Sequence, residues 1–288
     1  CGIAGIISNQ KNLIQPLLNG MVKTLSHRGP DNSSCHFDNN LGLAHSRLSI
    51  IDLDESSNQP LHDYTKRYSI VFNGEILNYR DLKTELLEKG ARFNTSGDTE
   101  VLLNGYIYFG LEILKKIRGF YAFCIYDRIK KEMILGRDLF GKKPLYFLHD
   151  NGLFLFGSEI KAIKSALNKT PQIDYESLPH FLWKGYYANG DTAYSKIKSI
   201  LPGQIIRIST ENLLIDDLNI NHSISLKVSN KYKDRDVNNV ESALIDSIKY
   251  RLVSDVPVSF LLSGGIDSSL ISYLASKELP YKIDTHYV

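Results

Sequence analysis

The sequence predicts a layered α+β fold followed by the start of a second unit of α/β type. Three observations point to it. In residues 119–126, Tyr121, Phe123 and Ile125 alternate with Ala122, Cys124 and Tyr126, so both faces of that strand are apolar and its sheet must be covered on both sides. Residues 209–234 are rich in Ser, Asn, Asp and Lys and lose the periodicity of what precedes them, which marks a linker between residues 1–208 and 235–288. Beyond it a strand, a Ser-Gly-Gly loop and a helix follow one another, the order of an α/β unit.

Taken in order, residues 2–7 read as a strand that begins directly after Cys1. Leu13, Leu17, Leu18, Met21, Val22 and Leu25 have helical spacing, so 13–26 is expected to be an amphipathic helix, ended by the Gly-Pro pair of Arg28-Gly-Pro-Asp31. The apolar run Leu48–Leu53 reads as a strand with Arg47 just ahead of it. Residues 68–72 are β-like and run into Asn73-Gly74-Glu75, where the Asn-Gly pair signals a hairpin turn. Residues 78–89 read as a helix closed by Gly90, and Asp98 stands where it can cap a helix over 99–109. Strands at 119–126 and 132–136 are joined by the polar turn 127–131; residues 137–146 turn the chain into a further strand, and 153–156 is one more. A helix starts in 157–163, another covers 176–183, and 205–208 is a strand after an irregular stretch. In the second unit, Val237, Val240, Leu244, Ile248 and Leu252 give a helix over 237–253, followed by a strand at 256–262, a helix to Lys277 and a strand at 281–288.

Composition excludes several functions. With 34 basic and 32 acidic residues the net charge is +2, which offers no basic surface for general nucleic-acid binding. No apolar run is long enough to cross a membrane. Three cysteines, none in a CxxC spacing, argue against a disulfide framework and for a reducing, cytoplasmic compartment, with Cys35 and Cys124 as small buried or half-buried hydrophobes. No metal-ligand motif is present.

Two stretches carry chemistry. A cysteine at position 1, where translation would place Met, implies that preceding residues were removed and leaves a thiol and a free α-amine on one residue. The amine can take the thiol proton while sulfur attacks, and reference pKa values of about 8 and about 8.5 make that transfer cheap. A lipidated cysteine would normally continue into a polar tether, whereas an apolar, β-branched run follows here. The second stretch is Ser263-Gly-Gly-Ile-Asp-Ser-Ser269 after a buried-type strand. Its glycines let the backbone approach an anion, its hydroxyls add donors, and the following helix N-terminus favours negative charge. Elsewhere the residue types leave two readings open. Arg47 is a surface cation or a fork for a carboxylate. Asn73-Gly74 is a turn or a pair of oxyanion donors. Asp98 is a helix cap or a ligand for an ammonium group.

The motifs taken together settle on one family. Cys1-Gly-Ile, Arg28-Gly-Pro-Asp31, His45-x-Arg47-Leu-Ser-Ile, Asn73-Gly-Glu-Ile, Gly97-Asp-Thr-Glu100, Gly136-Arg-Asp138, Pro144-Leu-Tyr, Ser158-Glu-x-Lys161 and the Ser-Gly-Gly-Ile-Asp-Ser-Ser loop occur in order, and the chain resembles the glutamine-hydrolysing asparagine synthetases among the class II glutamine amidotransferases. The resemblance implies an N-terminal-nucleophile αββα sandwich over residues 1–208, acting as a glutaminase. It also implies the start of an α/β ATP-pyrophosphatase domain, adenine nucleotide alpha hydrolase-like, over 235–288. It assigns Cys1 as nucleophile with its α-amine as base, and Asn73 and Gly74 as oxyanion hole. Arg47 would take the glutamine carboxylate and Glu75 and Asp98 its ammonium, with Leu48, Ser49, Ile50 and Ile51 lining the same pocket. Leu262, Ser263, Gly264, Gly265, Asp267, Ser268 and Val288 would bind ATP. The implied substrates are glutamine, ATP and aspartate, with Mg²⁺ as cofactor at a site mostly outside this chain. A different carboxylate acceptor, such as a sugar acid or peptide, and a remnant with a binding role remain as alternatives. Because some 55 residues make a small core, 235–288 are expected to need a longer protein or a partner, a homodimer or a missing C-terminal half.

Overall fold

The structure is a computed structural model that describes residues 1–218, 234–279 and 282–287; these fall into two compact units, one on each side of residue 219–233. The first unit is built on strand β1 (Gly2–Ser8), buried along its whole length. Helix α1 (Lys11–Lys23) follows, then strands β2 (Asn32–Asp38), β3 (Leu41–Arg47), β4 (Leu61–His62) and β5 (Tyr68–Ile76). Helices α2 (Tyr79–Glu88), α3 (Asp98–Phe109) and α4 (Ile113–Lys116) lead to strands β6 (Gly119–Asp127), β7 (Glu132–Arg137), β8 (Tyr146–Asp150) and β9 (Leu153–Gly157). Helices α5 (Ile160–Ser165) and α6 (Leu178–Lys184) and strands β10 (Ile197–Ser199), β11 (Ile205–Ser209) and β12 (Ile215–Asp217) complete the unit.

The strands form two antiparallel sheets, ordered β10-β8-β9-β1-β3-β2 and β12-β11-β7-β6-β5-β4. Alternation along each strand explains the layers. Ile3 and Ile7 of β1 face Val71, Ala122, Cys124 and Leu135 of the other sheet, while Ala4 and Ile6 face Ile14, Leu18 and Met21 of α1. Helices α1 and α5 cover the first sheet and α3 packs on β5 of the second, giving the four αββα layers. The apolar faces read from residues 119–126 are both buried. Cys124 is fully buried and Cys35 half-buried, and neither is in a disulfide.

Several elements differ from the expectations. Leu48–Leu53 is an irregular loop, and the strand lies one step earlier, at Leu41–Arg47. The loop turns through Asp52 at φ 54° and leaves Leu48 41% and Leu53 54% exposed, so its apolar residues do not serve a sheet. The chain does not turn at Asn73-Gly74: β5 continues straight to Ile76, paired with β6 throughout. Asp98 lies inside the first turn of α3 and its side chain does not cap; the N-cap is Gly97. Strand β2 is polar, as its place at the edge of the first sheet allows, and short strands β10 and β12 were not expected. Strand β12 pairs with β11, so the second sheet reaches past residue 208 into the segment read as a linker. The rest of that segment, from 219 to 233, lies outside the described residues, as does Val288.

The second unit contains helix α7 (Asp234–Arg251), strand β13 (Ser259–Leu262), helix α8 (Ile266–Glu278) and strand β14 (Asp284–Tyr287), the two strands paired in parallel. Its core gathers Ile248, Leu274 and Ala275 with half-buried Leu244, Ile245, Leu252 and Phe260. Leu261, Ile266 and Tyr287 stay 69%, 86% and 86% exposed, which fits a unit with a small core. Among the described residues no helix is long and apolar enough to cross a membrane.

Candidate active site

Cys1 enters β1 at the end of a cleft. Its α-amine donates to the Arg28 carbonyl at 2.8 Å, and its Sγ receives the Leu48 N–H at 3.4 Å. Burial, reinforced by the positive charges of Lys143 and Arg28 against Asp31 and Glu75, lowers the amine's pKa to about 6. The amine is therefore neutral at pH 7 and carries the lone pair a base needs. Arg28 is fixed by an ion pair with Glu159, a carboxylate that also meets His27 at 2.8 Å and Lys161 at 3.1 Å. Burial works against the charge of Glu159, but hydrogen bonds from Lys161, Arg28 and His27 outweigh it and bring its pKa down to about 2.

Asn73 lies on β5, 1% exposed, and its Nδ2 has no hydrogen-bond partner among the described residues. A buried amide donor without an acceptor is costly unless a ligand supplies one. Gly74 pairs with Tyr121 across β5 and β6, and a Cβ there would lie 2.3 Å from the Phe120 carbonyl oxygen. Close approach of the two backbones, not turn geometry, accounts for that glycine.

Arg47, at the end of β3, is 5% exposed. Its guanidinium donates to the Asp54 carbonyl and the Asn58 Oδ1, both at 2.8 Å, and to the Asp52 carbonyl. These are neutral acceptors, and among the described residues Arg47 has no ion-pair partner. A buried guanidinium oriented in this way is suited to an incoming carboxylate. Across the cleft, Asp98 accepts the Ile76 N–H at 2.9 Å. Burial raises its pKa to about 7, against the Ile76 bond and with help from the Glu75 charge. An ammonium group placed there would favour the charged form.

One cleft contains Cys1, Arg47, Leu48, Ile50, Ile51, Asn73, Gly74, Glu75 and Asp98. Ser49, expected with them, is not in its lining; its N–H instead donates to Asp31 Oδ2 at 2.8 Å. The lining adds Gly97 and Thr99 of the motif Gly97-Asp-Thr-Glu100, to which no role was assigned, and Ser57, Gln59, Phe72 and Lys143, which the sequence did not point out. Gln59 bridges three segments, donating to Thr99 Oγ1 at 3.1 Å and accepting the Phe72 N–H at 2.6 Å. No local pattern signals such a bridge. For Lys143 the available signal was its place two residues beyond Gly141, just before Pro144.

The Ser-Gly-Gly loop of the second unit is exposed from Ser263 to Asp267, with Leu262 and Ser268 half-buried. Gly264 has φ +77°, a left-handed conformation that suits glycine, and the space where its Cβ would project is open. Gly265 is the N-cap of α8, and the Ser263 and Ser268 hydroxyls lie 3.1 Å apart. Exposed backbone, paired hydroxyls and a helix start of 13 residues fit a phosphate group. Among the described residues no group of three or more His, Cys, Asp or Glu side chains is arranged to hold a metal ion.

Comparison with known proteins adds the following. Residues 1–217 match the family described as the glutamine amidotransferase domain, and residues 239–288 match the one described as asparagine synthase. Two proteins of Bacillus subtilis (strain 168), asparagine synthetase (glutamine-hydrolyzing) 1 and 3, are each 36% identical to this chain. The first match covers 97% of this chain and 44% of the relative, the second 96% and 45%. The chain thus spans less than half the length of these curated relatives. Among solved structures, the glutamine phosphoribosylpyrophosphate amidotransferase from B. subtilis complexed with ADP and GMP superimposes with a TM-score of 0.56 at 18% identity, covering 100% of this chain and 65% of that one. At that identity the likeness is one of fold.

Proposed function

This chain belongs to the glutamine amidotransferase domain family, and from that premise we propose that its first unit hydrolyses glutamine to glutamate and ammonia at Cys1. The observation that carries the reading is the unpartnered amide of buried Asn73 in the cleft that also contains Cys1. Cys1 Sγ attacks the side-chain amide carbon of glutamine while its own α-amine takes the thiol proton. Asn73 Nδ2 and the Gly74 N–H donate to the oxygen as it becomes an anion. Collapse breaks the C–N bond, and the α-ammonium returns its proton to the leaving nitrogen, which departs as ammonia. Water, deprotonated by the same amine, then cleaves the thioester and releases glutamate.

Selectivity for glutamine follows from pairing both of its charged ends. Arg47 takes the α-carboxylate and Glu75 and Asp98 the α-ammonium, with Leu48, Ile50 and Ile51 lining the same pocket. A ligand lacking the carboxylate leaves the buried guanidinium of Arg47 without an ionic partner, and one lacking the ammonium leaves the buried Asp98 without one, which is costly.

For the whole protein we propose the ATP-dependent amidation of aspartate to asparagine with that ammonia, a reading supported by the names of the relatives and by the match at residues 239–288. Leu262, Ser263, Gly264, Gly265, Asp267 and Ser268 would hold the ATP phosphates, with Val288 assigned to the same site. Bound ATP, with its Mg²⁺, would supply the adenylyl group that activates the aspartate carboxylate. Three unpaired cysteines support a reducing, cytoplasmic setting. The test is to supply the full-length protein with amide-labelled glutamine, aspartate and ATP. Label in asparagine supports the whole reading. Label in free ammonia alone limits it to the glutaminase, and label in another carboxamide assigns a different acceptor.

A further inference from the structure

We propose that Lys143 is a positioning residue for this glutaminase, setting the proton-accepting state of the Cys1 α-amine through a half-buried positive charge in the same cleft. The proposal rests on the glutaminase reading of Cys1. Lys143 lines the cleft with Cys1, Asn73 and Glu75. Its backbone is rigidly placed: its N–H donates to Asp138 Oδ2 at 3.0 Å, and its carbonyl accepts from Arg137 Nε at 2.8 Å. Asp138 also takes the N–H groups of Phe140 at 3.1 Å and Lys142 at 3.0 Å, so one buried carboxylate organises the whole turn. The Lys143 ammonium lies 5.0 Å from the centre of the Phe120 ring, and Phe120 is the cross-strand partner of Glu75. The ammonium thus packs on a ring of β6, the strand that pairs with the site strand β5.

The charges that face the Cys1 amine are Lys143, Arg28, Asp31 and Glu75, and buried His45 also feels it. After burial itself, Lys143 is the largest influence that disfavours the protonated amine. Burial lowers the pKa of Lys143 in turn, while Glu75 favours its charged form. Arg28 is already neutralised in part by its ion pair with Glu159. Lys143 has no ion-pair partner among the described residues, and the carboxylates of Glu75 and Asp138 offset its charge only in part. In the chemistry above, the thiol proton must move to a neutral amine, and a cation lining the same cleft adds to burial in keeping that amine neutral before each turnover. The neighbouring Lys142 has the same charge and also sits over Phe120, at 4.5 Å, but is exposed, where solvent screens it.

The test uses the full-length protein and measures kcat at saturating glutamine against pH for wild type, Lys143→Met, Lys143→Arg and Lys142→Met, with Cys1→Ala as the blank. Saturation removes the contribution of Asp98, which is paired with substrate under those conditions. The wild-type acid limb is expected near pH 6. In Lys143→Met it should move up by about 0.5–1 pH unit, so that at pH 6 the activity relative to its own plateau is about threefold lower. Lys143→Arg and Lys142→Met should follow the wild-type limb. A second readout needs no turnover: the pH dependence of acetylation of the Cys1 α-amine by acetic anhydride, followed by peptide mass spectrometry, should shift in the same direction. Superimposed limbs and acetylation profiles for Lys143→Met and wild type, with activity still dependent on Cys1, would overturn the role of Lys143. Activity that survives in Cys1→Ala would instead overturn the glutaminase reading on which it rests.

Discussion

The carboxylate of Asp98 accepts the backbone N–H of Ile76 at 2.9 Å. That bond ties the first turn of α3 to the strand that carries Asn73, Gly74 and Glu75. The donors proposed for the oxyanion and the acidic groups proposed for the substrate ammonium are thereby held on one framework. Burial of that carboxyl group raises its pKa to about 7, against the backbone hydrogen bonds it accepts.

The glutamine KM should therefore depend on pH. Protonated Asp98 cannot pair with an ammonium, so KM is expected to rise as pH falls below about 7. Asp98→Asn keeps an acceptor for Ile76 and removes the charge. Its KM at pH 8 should be at least about 30-fold higher than wild type, with the pH dependence flattened. Steady-state kinetics from pH 5.5 to 8.5, about three units spanning the limb, check both points.

The same shift has a consequence for stability. Asp98 takes up a proton near pH 7 when folded and near about 4 when unfolded, so the folded state binds the extra proton between those values. The stability it contributes is present below pH 4 and is lost as pH rises to 7. Asp98→Asn should lack this loss, and its stability relative to wild type should improve from pH 4 to pH 8 in urea titrations without glutamine. A constant difference across that range would count against a raised Asp98 pKa.

Asn73→Ala removes one of the two proposed oxyanion donors. Its kcat for glutamine hydrolysis should fall by about 10²–10³-fold with little change in KM. Because Nδ2 makes no hydrogen bond among the described residues, the substitution forfeits none from that atom there, and the thermal midpoint should stay near wild type. A fall in KM-linked binding with kcat intact would place Asn73 on the ground state instead.

Arg47→Lys keeps the charge and loses the fork, whose Nη1 reaches the Asp54 carbonyl and Asn58 while Nη2 reaches the Asp52 carbonyl. The loop oxygens over 48–58 lose donor partners, so a destabilisation of about 1–3 kcal/mol is expected. KM for glutamine should rise more than tenfold, on the order of the value of a charge-assisted bidentate pair. Chemical unfolding and initial rates report the two effects separately.

The sequence was most legible where periodicity and burial agree. The both-sided apolar pattern of residues 119–126 anticipates β6 inside two covered layers, and the leading run anticipates β1. It was least legible where a long-range partner overrides local chemistry. Asn73-Gly74 has a strong local turn signal, yet pairing with β6 keeps it extended. Leu48–Leu53 has strand-like composition, yet Arg47 draws the carbonyls of Asp52 and Asp54 around its guanidinium and the segment becomes a loop. Strand β2 escaped notice because an edge strand needs no apolar face. Most of the cleft could be named in advance only because its residues recur as ordered motifs of a family; spacing alone left Arg47, Asn73 and Asp98 with two readings each. Gln59 and Lys143 reach the cleft from outside those assigned residues, and only the folded arrangement brings them there.

The most direct measurement of the central claim is glutamate and ammonia release from glutamine by protein whose first residue is Cys1 with a free α-amine, compared with Cys1→Ala. The account requires equal amounts of the two products from wild type, a covalent glutamyl adduct on Cys1 after acid quench, and neither in the mutant. Release that persists in Cys1→Ala, or none from folded protein with a free amine, would contradict it.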